Sequence, residues 1–206
     1  MKGRNNFMSV NEINLPIRQE NLAVGNRVLG LLGIIGAPMM LIFFMFGNMD
    51  GSAPKTPEER LMCMTGVFYM GGWICSAVGM RRLRATGDRL GGKIVFIIQI
   101  TLLSFALLFS VMEVGGYDFR NGGLLFALAD AGYPLSHLFM NVVGIFVVRA
   151  KVWQGLPKFA PFLVGITLPV TLALMAIGYV NVAGFFFGGM TTSGLAIIGY
   201  TVCRQA

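Results

Sequence analysis

The sequence predicts an all-α integral membrane protein of six transmembrane helices with both termini on the cytoplasmic side (N-in/C-in). Three observations carry the prediction. Six apolar windows occupy 28–47, 61–80, 94–114, a stretch within 124–150, 161–180 and 184–203. Each is close to the roughly 20 residues that cross a hydrocarbon core of about 30 Å at about 1.5 Å per residue. Thirteen of the sixteen Lys and Arg residues fall in alternate gaps between these windows: Lys2, Arg4, Arg18 and Arg27; Arg81, Arg82, Arg84, Arg89 and Lys93; Arg149, Lys151, Lys158 and Arg204. The opposite gaps hold only Lys55, Arg60 and Arg120. Short basic loops stay in the cytoplasm, so the asymmetry sets the orientation. Finally, the three inward-running spans share an ending, which points to three repeated two-helix hairpins.

Residues 1–27 form the only sizeable polar stretch and read as a cytoplasmic N-terminal segment, in which Pro16 interrupts any long helix. The segment lacks the basic start, short apolar core and small-residue cleavage site of a signal peptide, because the apolar run starts at Val28. Residues 28–206 read as one transmembrane domain. With 55 % hydrophobic and 12 % charged residues in 206, no separate soluble domain is expected. The net charge of +7 sits in juxtamembrane loops, where topology and anionic headgroups account for it. No basic face with exposed aromatic residues accompanies it, so nucleic acid is not an expected partner. The expected location is the bacterial cytoplasmic (inner) membrane.

The shared ending is a glycine followed five residues later by an arginine. It reads Val78-Gly79 then Arg84, Val143-Gly144 then Arg149, and Ile198-Gly199 then Arg204. A glycine lets a neighbouring helix approach closely, and an arginine at the interface can snorkel to headgroups. The odd spans echo each other more weakly, as Gly33 through Pro38 and Gly165 through Pro169. Three hairpins resemble mitochondrial carriers in outline only, because the Pro-x-acidic-x-x-basic signature of that family is absent from the odd spans. Nothing is carried over from it.

Superposing the three endings places Gly72, His137 and Thr192 seven residues before the glycine, and Ser76, Asn141 and Ala196 three before it. These offsets share one helical face. In the sixth span the face continues as Gly184, Gly188, Thr192 and Ala196, a ladder suited to close packing. His137 and Asn141 are therefore expected to point into the bundle. Asp130 lies on the same stripe if the fourth helix is continuous. Pro134 leaves open that the span begins there, with 122–132 as a re-entrant or surface segment. Counted from Arg149, His137 stands about 18 Å and Asp130 about 28 Å along the axis, and Glu113 stands about 30 Å from Lys93. Two carboxylates thus rim the outer end above the single histidine. Asp50, Glu58, Glu59 and Asp118 make that surface acidic.

An ionisable group at membrane depth is costly and marks a functional candidate. His137 has two readings: a ligand or proton relay with Asn141, Asp130 and Glu113, or a structural histidine bonded to Asn141, Ser136 or a carbonyl. One histidine is too few for a His-based zinc site or bis-histidine haem. The three cysteines lie at different depths, and no cofactor is named by the residues. Trp153, Tyr117, Tyr133 and Tyr179 are expected as interface anchors, Trp73 as core, and Phe185 to Phe187 as an apolar cluster at the outer edge. Gly79, Gly144, Gly199 and Gly188 are the expected helix-packing glycines. The function expected is non-enzymatic: a bundle that binds lipid or another apolar ligand, or an accessory subunit of a membrane complex. Its partners would be the bilayer, a membrane protein or further copies of the chain. The alternative is a proton-linked transporter of a small solute, with His137 as relay and Glu113 and Asp130 at its mouth.

Overall fold

A computed structural model describes residues 10–46, 54–118 and 121–205, with side chains from Ala23 onward. Lys2, Arg4, Asp50 and Arg120 lie outside the described residues. Those residues form α1 (Val10–Gly36), α2 (Met39–Phe46), α3 (Pro57–Arg82), α4 (Leu90–Val114), α5 (Gly123–Ala150), α6 (Ala160–Ala176) and α7 (Val180–Arg204), and contain no strand. A 3-10 turn, Leu156–Phe159, leads into α6. Six segments are long and apolar enough to cross a membrane: Ala23–Phe46, Pro57–Arg82, Leu90–Val114, Gly123–Ala150, Leu156–Ala176 and Val180–Arg204. Every segment also exposes large apolar side chains, among them Leu61, Ile97, Leu128, Ile166 and Tyr200. A fold in water would not expose so much apolar area all round.

Several boundaries depart from the sequence reading. Helix α1 runs through Pro16 without a break, because an internal proline forfeits one backbone bond but need not end a helix whose flanks continue. The first span, described from Ala23, breaks at Ala37–Pro38 into α1 and α2. Pro38 cannot donate to the carbonyl of residue 34, and the preceding residue is pushed out of helical geometry. The Thr192 hydroxyl of α7 donates to the Ala37 carbonyl at this break (2.9 Å). The fifth span ends at Ala176 rather than 180. Helix α5 is continuous through Pro134, which removes the re-entrant alternative for 122–132.

Short connections make successive spans antiparallel. They pack in chain order, α1 on α3, then α4, α5, α6 and α7, and α7 returns to α1 to close the ring. Helix α3 also touches α7 across the middle. Close approach depends on glycine at the crossings. A Cβ on Gly36 or Gly72 would stand 2.8 Å from the other's Cα, so α1 and α3 cross backbone on backbone. At Gly132 a Cβ would stand 2.8 Å from the backbone of both Leu102 and Ala106 on α4.

The predicted packing glycines each face another helix: Gly79 meets Val202 of α7, Gly144 meets Phe162 of α6, Gly199 meets Gly30 and Ile34 of α1, and Gly188 meets Leu41 of α2. Gly144 and Gly199 thus meet the first helix of the next hairpin in cyclic order, whereas Gly79 meets the second helix of another. At one end of the bundle, Thr56 caps α3. Its hydroxyl accepts from the Glu59 amide, and the Glu59 carboxylate accepts from the Thr56 amide. At the other end, Arg84 adopts φ 55° and pairs with Asp88 at 2.8 Å, both exposed. Trp153, expected as an interface anchor, is instead buried in the turn after α5.

Candidate functional site

The centre of the bundle is aromatic. Tyr69 and Trp73 lie one turn apart on α3, as do Tyr133 and His137 on α5, so both pairs present one face of their helix. The His137 ring lies 4.6 Å from Trp73, 4.8 Å from Tyr133 and 5.0 Å from Phe187, measured between centroids. Trp73 meets it edge-on at 76°, a geometry that gains about 0.5–1.5 kcal/mol beyond burial for an aromatic pair. His137 is completely buried.

Its hydrogen bonds identify the tautomer. Nδ1 stands 3.1 Å from the Tyr133 carbonyl, which can only accept, so Nδ1 carries the proton. Nε2 is then the acceptor for the Tyr69 hydroxyl, 3.4 Å away. The neighbouring Ser136 hydroxyl donates to the Gly132 carbonyl (2.6 Å), and the Ser136 carbonyl accepts from the Gln99 amide of α4 (3.4 Å). Side chains thus supply local hydrogen bonds in the turn that holds Pro134, where one backbone donor is missing.

Toward the end of the bundle that carries Gly115 and Gly116, a pocket of about 230 Å³ opens above Tyr69 and Tyr133. Glu113 from α4 and Asp130 from α5 line it, together with the rings of Phe43 and Phe109. No basic side chain lies within 4 Å of either carboxylate among the described residues; the single ion pair there is Arg84–Asp88. Arg60 reaches instead toward Gly116, 3.8 Å from where a Cβ would sit. The Tyr133 hydroxyl is buried without a hydrogen-bond partner among the described residues. A second recess of about 330 Å³ shares Phe43 and Cys63 with this pocket and has Glu58 and Glu59 on its rim.

The four predicted site residues therefore separate. Glu113 and Asp130 share the pocket, and His137 lies behind its floor, in contact with Tyr69 and Tyr133. Asn141 turns away: its amide donates to the Leu138 carbonyl of its own helix (3.1 Å) and lies against Gly165 of α6. Tyr133, expected at an interface, is part of the core around the histidine, and Phe187 leaves the expected edge cluster to join it at 3 % exposure. Phe185 stays outside at 58 %, as do Tyr117 and Tyr179. Tyr69 was missed by the sequence reading. Its signal is the matched i, i+4 pairing of aromatic residues on α3 and α5.

Among the described residues no three His, Cys, Asp or Glu side chains converge as a metal site would require. Comparison with protein-family models, characterised proteins and solved structures finds no match. The residues alone carry the functional argument.

Proposed function

We propose that the chain is a non-enzymatic lipid-binding bundle of the bacterial cytoplasmic membrane, built from three two-helix repeats with both termini inside. The observation that carries this reading is an apolar groove of about 570 Å³ between α1–α2, α3 and α4, lined by Leu32, Met39, Phe68, Gly71, Cys75 and Leu107 among others. It lies in the range of about 300–1,000 Å³ typical of small-molecule sites and contains no charged lining residue. Its glycine floor leaves room for a tail to lie against the backbone. The same surface would serve an accessory subunit that docks on a larger membrane protein or on another copy of the chain.

Gly71 offers a clean test, because a Cβ there meets nothing within 4 Å. Gly71→Leu should fill the groove without straining the fold. Native mass spectrometry from mild detergent is expected to show bound lipid on the wild type and its loss from the variant at an unchanged melting midpoint. Identical lipid content in both would end the reading.

Proton-linked solute transport is the second reading. It is favoured by the contact sequence from the carboxylate pocket through Tyr69 to His137. In reconstituted vesicles it predicts a pH-dependent flux that His137→Ala abolishes while the protein stays folded.

A further inference from the structure

We propose that the pocket between α2, α3, α4 and α5 binds an organic ammonium ion with an apolar body, held between Glu113 and Asp130 and enclosed by aromatic rings. The site is distinct from the apolar groove, and either can exist without the other. Two features of the pocket carry the inference together.

The first is uncompensated charge. Two carboxylates from different helices line one pocket of about 230 Å³, with no cationic side chain within 4 Å of either among the described residues. Like charges sharing a small site repel, and withdrawal from water raises the cost. A cation between them removes that repulsion. The second is the wall. Phe43, Tyr69, Phe109 and Tyr133 surround the same space. Aromatic faces attract an ammonium group by about 0.5–2 kcal/mol and bury its alkyl or aryl substituents.

The donor set argues against a metal. Calcium takes six to eight oxygens and magnesium near-ideal octahedral geometry. Here two carboxylates stand among aromatic rings and mainly apolar side chains. Apolar walls with a few charged groups suit a cation that is itself largely apolar.

Benzyltrimethylammonium is a suitable probe, with neopentylbenzene as its uncharged isostere. By calorimetry on the full chain in a non-ionic detergent, the ammonium should bind saturably and the isostere about tenfold or more weakly, the loss of one charged contact in a desolvated site. Glu113→Gln and Asp130→Asn, close in shape to the originals, should each weaken the ammonium by about tenfold or more while lipid content in the groove stays unchanged. Equal binding of the isostere overturns the proposal, and that comparison needs no variant to fold. Unchanged affinity in the double variant overturns it too. So does displacement of the probe by calcium chloride at matched ionic strength, which would make the pocket a metal site.

Discussion

His137 has two ring nitrogens with two different partners, the Tyr133 carbonyl and the Tyr69 hydroxyl, and a ring contact on three helices. The Tyr69 bond and the Trp73 and Phe187 ring contacts hold α3, α5 and α7 in one arrangement. Removing the ring would leave a cavity lined by Trp73 and Phe187 and would break the bond from the Tyr69 hydroxyl to Nε2. His137→Ala is therefore expected to destabilise the bundle by about 2–4 kcal/mol, near the lower range for large-to-small changes of buried aromatic residues. His137→Phe keeps the ring contacts and should recover part of that loss. The check is denaturant or thermal unfolding in detergent, and a His137→Ala protein as stable as wild type would show that the ring holds nothing together. The sequence made the depth of this residue readable but not its neighbours. Spacing along a span measures height, and Glu113 and Asp130, expected at similar height, line one pocket with His137 behind its floor. Rotation about the axis is a different quantity. A span apolar all round carries little periodic signal, so buried Phe187 and exposed Phe185 look alike in sequence. Tyr133 and Tyr179 look alike for the same reason.

At the level of elements, glycine sets how near the helices come, and its effect depends on what it faces. Gly132 and Gly71 illustrate the range. At Gly132 an added Cβ would stand 2.6 Å from the Phe105 Cβ and 2.8 Å from α4 backbone atoms, which cannot move without separating α4 from α5. At Gly71 there is open space. Gly132→Leu should cost at least about 1–3 kcal/mol by overpacking, whereas Gly71→Ala should stay within about 0.5 kcal/mol of wild type. Melting midpoints of the two variants, measured side by side, check this; a Gly132→Leu protein as stable as Gly71→Ala would contradict the crossing. The shared Gly and Arg ending of three spans was legible in sequence, and Gly79, Gly144 and Gly199 all meet another helix. Gly132 was not, because it sits outside that pattern beside Pro134. The capping box was legible in principle, as Thr56 followed three residues later by Glu59. Starting the span at residue 61 hid it.

For the molecule as a whole, the distribution of charge between its two ends gives an expectation for which way it faces. One end, with turns 83–89 and 151–155 and the close of α7, carries Arg81, Arg82, Arg84, Arg89, Lys93, Arg149, Lys151, Lys158 and Arg204. The other, with residues 54–56 and turns 115–118 and 177–179, carries only Lys55 and Arg60 among the described residues, beside Glu58, Glu59 and Asp118. Short basic loops resist translocation, so the basic end should face the cytoplasm. The carboxylate pocket would then open outward, where an ammonium ligand reaches it without crossing the membrane. A cysteine-free variant, with Cys63, Cys75 and Cys203 replaced, permits the test. Single cysteines at Asp88 and Gln154 should resist a membrane-impermeant maleimide in intact cells and react after lysis, whereas one at Pro54 or Tyr179 should react in both. The opposite labelling would invert the molecule. It would place the pocket on the cytoplasmic side and make an intracellular amine its ligand, with the packing around His137 left as it is.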